Sequence, residues 1–354
     1  MKTYILAAFL ILVACSTAAG QGDTRSIAKA PQKSGELKQA KRSDQKSGSS
    51  PANGDSENSK RLKVYIVAGQ SNMMGQGVVS GIDTPGTLEY CIANGPAKKY
   101  AFLTDENNGL AEQKDVWIYF ERNGKLLTGN LSPRYGQTDK LIGPELGFGE
   151  QIQKQEGQQI LLIKIAWGGK SLGKDFRPPS ADGETGFYYK EILRLTKGAL
   201  ADIQKHFPDY ESRHGYEIAG LFWHQGWNDH VNKQFTKEYT RNLAFLIEDL
   251  RSDLGAKFPV VVATTGMPTK RDAKRDKNGY KPIERAQLAI ADKTKYPQFV
   301  GNVMVVDTKA YWKEISRSPV PSGNQHYHWN KSAEIYMDIG FGAAKAFVPL
   351  KKAK

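Results

Sequence analysis

The chain has 354 residues, 39% of them hydrophobic, and a formal net charge of +13. That length suits one large domain with appendages, and the apolar share suits a globular core. Two cysteines are too few for a disulfide framework or a cysteine metal site, and no nucleic-acid motif accompanies the positive charge, so nucleic acid is not an expected partner.

The chain opens on Lys2 followed by an apolar run over residues 4–14. This run is too short to cross a bilayer as a mature helix but has the length of a signal-peptide core. It leads into Leu12-Val13-Ala14-Cys15, which resembles a bacterial lipobox with Cys15 as the acylated residue. Ordinary cleavage among the small residues at Ser16–Gly20 is the alternative. The expectation is a leader over residues 1–19, an exported protein in the cell envelope or secreted, and membrane association only through an anchor at Cys15. Residues 20–61 lack large apolar side chains and periodicity, so they cannot bury enough surface to offset ordering entropy. They read as a disordered basic linker. Residues 20–63 carry ten Lys/Arg against five Asp/Glu, and Lys351, Lys352 and Lys354 add charge at the other end. The basic balance therefore sits largely at the termini, where it can attract anionic polysaccharide or headgroups.

From residue 62 the apolar runs alternate in period. Strands are expected at 62–69, 158–169, 216–226, 258–267 and 301–308. Helices are expected at 143–155, 187–207, 236–255, 282–294 and 330–348. This alternation predicts an α/β domain over residues 62–350, with a parallel sheet covered on both faces. The strands are almost continuously apolar, as two-sided burial requires. Residues 85–140 break the rhythm. Within them Asn123-Gly124 separates two strand-like runs, a two-residue hairpin signal. The segment reads as an insertion flanking the functional edge.

In such a sheet, ligands bind beyond the carboxyl ends of the strands. The residues that follow the strands are Ser71, then Gly168, Gly169 and Ser171, then Gly226, Asn228 and Asp229, and finally His326 and His328 before the last helix. This set suits acyl transfer. A neutral imidazole can take the proton of a serine hydroxyl near pH 7. A glycine N–H and an asparagine amide can hold a developing oxyanion. Met73 stands where a Gly-x-Ser-x-Gly elbow requires its last glycine, which disfavours the α/β-hydrolase arrangement.

The blocks Ala68-Gly-Gln-Ser-Asn-Met73, Ala166-Trp-Gly-Gly-Lys-Ser-Leu172, Trp223-His-Gln-Gly-Trp-Asn-Asp229 and His328-Trp-Asn-Lys-Ser-Ala333 resemble those of the SGNH hydrolases. They are most similar to the sialate O-acetylesterase (SASA) and acetylxylan-esterase branch, from about residue 63 to 348. The resemblance implies a flavodoxin-like α/β/α sandwich with five parallel strands. It also implies hydrolysis of acetyl esters on carbohydrates, without metal or cofactor. By position, Ser71 matches the nucleophile, and its own N–H helps form the oxyanion hole. Gly168 matches the second oxyanion donor, with Gly169 the near alternative. Asn228 matches the third donor, and His328 matches the base in preference to His326.

Two positions depart from the family pattern. Gln325 stands where the family often has the aspartate that orients the histidine. A Ser–His dyad oriented by a backbone carbonyl, or a carboxylate borrowed from Asp229 or Asp307, is then expected. Trp227 replaces a frequent glutamate. Plainer roles stand beside these: Ser71 and His328 as helix caps, His224 as a core hydrogen-bonding residue, Asp229 as a loop-fixing carboxylate. Trp167, Trp223, Trp227 and Trp312 fit either core residues or sugar platforms. The rival functions on the same fold are a sugar O-acetyltransferase and an inactive carbohydrate-binding protein.

Overall fold

The computed structural model describes residues 61–267 and 280–351. The expected leader, Cys15 and nearly all of the linker lie outside the described residues. Among the described residues the strands are β1 (Leu62–Gly69), β2 (Gly77–Val78), β3 (Gln113–Arg122), β4 (Lys125–Leu131), β5 (Leu141–Ile142), β6 (Ile160–Ala166), β7 (Tyr216–His224), β8 (Val260–Ala263) and β9 (Val303–Val306). The helices used below are α1 (Ser71–Met74), α2 (Leu88–Asn94), α3 (Glu145–Glu156), α4 (Phe187–Ala201), α5 (Trp227–His230), α6 (Lys233–Asp253), α7 (Lys281–Leu288) and α8 (Ala333–Lys351).

The main sheet has seven strands in the order β4-β3-β6-β1-β7-β8-β9. All neighbours in it pair in parallel except β3 with β4. The five expected strands therefore stand in the order β6-β1-β7-β8-β9, and the chain reverses its direction of travel between β1 and β7. That is the switch point of a flavodoxin-like sheet, where a crevice opens above the strand ends.

The expected count of five strands is corrected to seven. The hairpin within 85–140 is not a separate appendage: β3 pairs in parallel with β6, from Val116 against Ile160 to Phe120 against Lys164. Its run Val116–Phe120 is buried throughout, as a strand covered on both faces must be. The turn is the expected Asn123-Gly124, both with positive φ (52° and 76°), the two-residue geometry that suits a twisted hairpin. Two helices are shorter than expected. The run 187–207 breaks at Asp202, whose side chain accepts from Lys205 N and restarts the chain as a short helix. The run 282–294 ends as an α-helix at Leu288 and tightens into a 3₁₀ turn over Ala289–Ala291.

The layers follow from side-chain direction along the strands. Tyr65 on β1 and Phe222 on β7 pack on Phe148 of α3, and Tyr65 also meets Phe347 of α8. One residue on, Trp223 faces the opposite layer, with its indole N–H donated to Tyr239 of α6 at 3.3 Å. At the carboxyl end β1 and β7 approach closely: a Cβ on Gly69 would stand 2.1 Å from the carbonyl oxygen of His224. Only glycine fits between these two strand ends.

Lys164 of β6 is wholly buried under this edge. Its ammonium donates to Met74 O at 2.9 Å and Tyr135 O at 2.6 Å, and pairs with Glu145 Oε2 at 2.8 Å. Glu145 Oε1 accepts from Gly143 N at 2.9 Å. Burial pushes the Lys164 pKa down, and the carboxylate of Glu145 opposes that. The pair is a floor for α1, because it grips the carbonyl at the end of that helix. Removing the charge of one partner leaves the other buried and uncompensated. Glu145→Gln is expected to lower unfolding stability by about 3–5 kcal/mol, read from the urea midpoint against wild type.

Candidate active site

Ser71 begins α1, with only Gln70 between it and the end of β1. The residue in the N-cap position is Gln70, and its side chain does not cap the helix. Ser71 is thus the first helical residue rather than the cap. Its N–H lies in the first turn, where a helix offers no internal acceptor.

Gln70 reaches sideways instead. Its buried Oε1 accepts from Gly226 N at 3.0 Å, Asn228 N at 3.1 Å and Gln225 Nε2 at 3.3 Å. One side-chain oxygen thereby holds the turn after β7 against the turn after β1. Gln225 extends the link: its Nε2 also donates to Lys170 O at 2.9 Å and Asp229 Oδ2 at 2.6 Å. Asp229 in turn accepts from Leu172 N at 2.9 Å and Gly173 N at 2.7 Å. The loop after β6, which carries Gly168 and Gly169, is fastened to the Asn228 turn by these bonds. Tyr239 and Gln287 complete the arrangement by donating to Gln225 O at 2.7 Å and 2.8 Å.

On its other side Ser71 is followed by buried Asn72. Its Nδ2 donates to Tyr327 O at 3.1 Å, and its Oδ1 accepts from the Tyr336 hydroxyl at 2.7 Å. The Ser71 turn is thereby tied to the loop that carries His328. The residues that flank Ser71 reach the loops of Asn228 and His328 by direct hydrogen bonds. Among the described residues, neither the Ser71 hydroxyl nor the Asn228 amide group donates to another protein group, and Ser71 and His328 are not hydrogen-bonded to each other. Catalytic hydrogen bonds often tighten only once substrate is bound.

Gly168 and Gly169 are both exposed, and a Cβ on either would meet nothing within 4 Å. Gly169 has φ +68°, so the turn itself calls for glycine there. A side chain at Gly168 would stand in open space, and its backbone places no demand for glycine there.

The two carboxylates considered as orienters are committed elsewhere. Asp229 binds the N–H groups above, and burial pushes its pKa up to about 6. Asp307 accepts from Lys309 N at 3.1 Å and Thr264 Oγ1 at 3.4 Å. The partner of the His328 ring is Gln325, with Nδ1···Oε1 at 3.4 Å. His326 instead lies 3.2 Å from the Tyr280 hydroxyl, through Nε2. Ser171 is taken up by Asp175, to which both its N–H and its hydroxyl donate at 2.8 Å. Trp223 is fully buried and is no sugar platform, whereas Trp167, Trp227 and Trp312 are half-buried. The indole N–H of Trp227 donates to Tyr280 at 2.9 Å. The roles of Gln70 and Asn72 were missed in the sequence because an amide residue beside a serine gives no sign of which distant loop it will bind.

Two imidazoles are held neutral. Burial pushes His224 down to about 3, and its ring nitrogens have no partner among the described residues. Burial, then Lys331 and His326, push His328 down to about 4. Unfolding returns both to about 6.5. Their stabilising contribution is complete above pH 6.5 and is lost as pH falls toward those lowered values. Asp229, with its raised pKa, works in the opposite sense and offsets one of the two. The net expectation is a loss of about 1 kcal/mol per pH unit between pH 6 and 4. Urea midpoints across that range measure it, and His224→Phe is expected to flatten the slope.

The sequence matches the family described as carbohydrate esterase, sialic acid-specific acetylesterase (SASA), over residues 61–334. Among solved structures, a protein of Arabidopsis thaliana is similar at 17% identity and a TM-score of 0.51, over 81% of this chain and 98% of that one. A carbohydrate acetylesterase from Xanthomonas citri is similar at 14% identity and a TM-score of 0.47, over 82% of this chain and 57% of that one. No curated protein matches the chain. The family match spans most of the chain and all four blocks that bear the site. The chain belongs to the SASA family of carbohydrate esterases and is a carboxylic ester hydrolase.

Proposed function

We propose that this enzyme removes O-acetyl groups from carbohydrates by a two-step serine mechanism. The observation that carries this reading is the pair of amide side chains beside Ser71. Gln70 and Asn72 bind the nucleophile turn to the Asn228 turn and the His328 loop, the two places from which an oxyanion donor and a base would act. In the first step Ser71 Oγ attacks the acetyl carbonyl while His328 Nε2 takes the hydroxyl proton. The tetrahedral oxyanion is held by the N–H groups of Ser71 and Gly168 and by the Asn228 amide. Collapse expels the sugar oxygen, which takes the proton from the imidazolium to become a hydroxyl and leaves an acetyl-serine. Water then gives a proton to the same imidazole as it attacks the acetyl carbonyl. Collapse breaks the Ser71 Oγ–acyl bond, returns that proton to Ser71 Oγ and releases acetic acid, which ionises to acetate.

The substrate class rests on the family description. The leader motif extends the proposal to an exported protein tethered through Cys15.

Acetate release is measured with 4-nitrophenyl acetate, acetylated xylan and O-acetylated sialic acid. Wild type is expected to release acetate, and Ser71→Ala and His328→Ala each to lower kcat by at least about 1000-fold. Release that survives Ser71→Ala overturns the mechanism. For the tether, cells fed labelled palmitate are expected to label the chain, and Cys15→Ala to abolish labelling.

A further inference from the structure

An imidazole base needs Nε2 free of its proton and a partner that keeps the proton on Nδ1. The partner in this chain is an uncharged amide. Gln325 Oε1 lies 3.4 Å from His328 Nδ1, and the backbone holds the two side chains at that spacing. Gln325 O accepts from His328 N at 2.8 Å and from Asn330 N at 2.9 Å. The chain then passes through three consecutive left-handed residues, Trp329, Asn330 and Lys331, with φ of 53°, 49° and 60°. A left-handed residue other than glycine is strained, so this path persists only where the surroundings enforce it. They do: Trp329 is fully buried, with its ring centroid 6.1 Å from that of Trp312. Asn72 clamps Tyr327 O at 3.1 Å, and the Tyr336 hydroxyl reaches His328 O at 3.5 Å.

Among the described residues, the charged groups acting on the ring are Lys331 and His326, both in its own loop and both cationic when protonated. Asn72 from α1, Tyr336 from α8 and Tyr280, which precedes α7 and meets His326, reach the loop as neutral groups. Asp229 and Asp307 are bound elsewhere.

We propose that Gln325 is the positioning residue of the base: its Oε1 accepts the Nδ1 proton of His328, fixes the tautomer that leaves Nε2 free, and supplies no negative charge in doing so. The inference rests on the mechanism proposed above for its catalytic consequence, but not for the tautomer. A carboxylate would both orient the ring and favour the imidazolium formed during acyl transfer. An amide only orients. Its other face would donate to Nδ1 and give the wrong tautomer, so the proposal commits to the oxygen.

The experiment uses the full chain and its Gln325→Ala, Gln325→Asp and Gln325→Glu variants, with folding checked by the urea midpoint. The ring ¹⁵N shifts of His328, assigned through His328→Ala, report the tautomer without any turnover. Wild type at pH 7 is expected to carry the proton on Nδ1, and Gln325→Ala to populate both tautomers. In kinetics, Gln325→Ala is expected to lower kcat at least about tenfold with KM nearly unchanged. Gln325→Asp is expected to restore kcat and to move the acid inflection of kcat/KM upward by about one pH unit or more. A wild-type proton on Nε2 overturns the proposal. So does a Gln325→Ala variant with wild-type tautomer and kcat, or an inflection that Gln325→Asp leaves in place. If wild type releases no acetate, the serine mechanism fails, and the tautomer measurement still decides the role of Gln325.

Discussion

The site depends on one carbonyl oxygen. Gln70 Oε1 accepts from two backbone N–H groups and one side-chain amide of the turn after β7. Such an oxygen has lone pairs to share and no charge to desolvate, so burying it costs little once its donors are in place. The donors come from the strand that adjoins β1, at the point where the sheet changes direction. Remove that oxygen and the N–H groups of Gly226 and Asn228 are left in a dry interior without a partner, which the fold would relieve by moving the turn. The position of Asn228 relative to Ser71 is therefore set by the residue before Ser71.

From this centre the other loops are fastened in sequence. Gln225 and Asp229 carry the link to the loop after β6, and Asn72 carries it to the loop of His328. Stabilising an oxyanion requires donors that are already in place when charge develops. Here three loops are held by hydrogen bonds that converge beside a single short helix. Lys164 and Glu145 support that helix from below with a buried ion pair. The charges in this region are spent on structure: Lys164 on backbone carbonyls and Asp229 on backbone N–H groups. The chemistry is left to neutral groups. Burial, together with Lys331 and His326, holds the His328 imidazole unprotonated well below neutral pH.

Much of the domain was legible in the chain. Continuous apolar runs such as Val64–Ala68 and Ile160–Ile163 announce strands buried on both faces, and the helical spacing of 236–255 announces the cover. Asn123-Gly124 announced its own turn. The membership of the hairpin in the main sheet was not legible, because pairing between Trp117 and Leu161 joins segments that no local pattern connects. The break at Asp202 is a local capping event inside a run whose apolar period continues across it. Among site residues, Ser71, Gly168, Asn228 and His328 stand out because each follows a strand or precedes the last helix. Gln70, Asn72 and Gln225 are ordinary amides until their partners, some more than 150 positions away, come within bonding distance.

By itself the sequence determined the class of fold and the edge of the sheet where chemistry belongs, since both follow from apolar period and from which residues terminate the strands. It also determined that the position three before His328 is an amide and not a carboxylate. Only the tertiary structure decided what that amide touches, that Asp229 and Asp307 are spoken for, and that the hairpin completes the sheet. Those outcomes depend on long-range hydrogen bonds and register, and neither has a local signature: a side-chain amide can bind any donor or acceptor the fold brings to it.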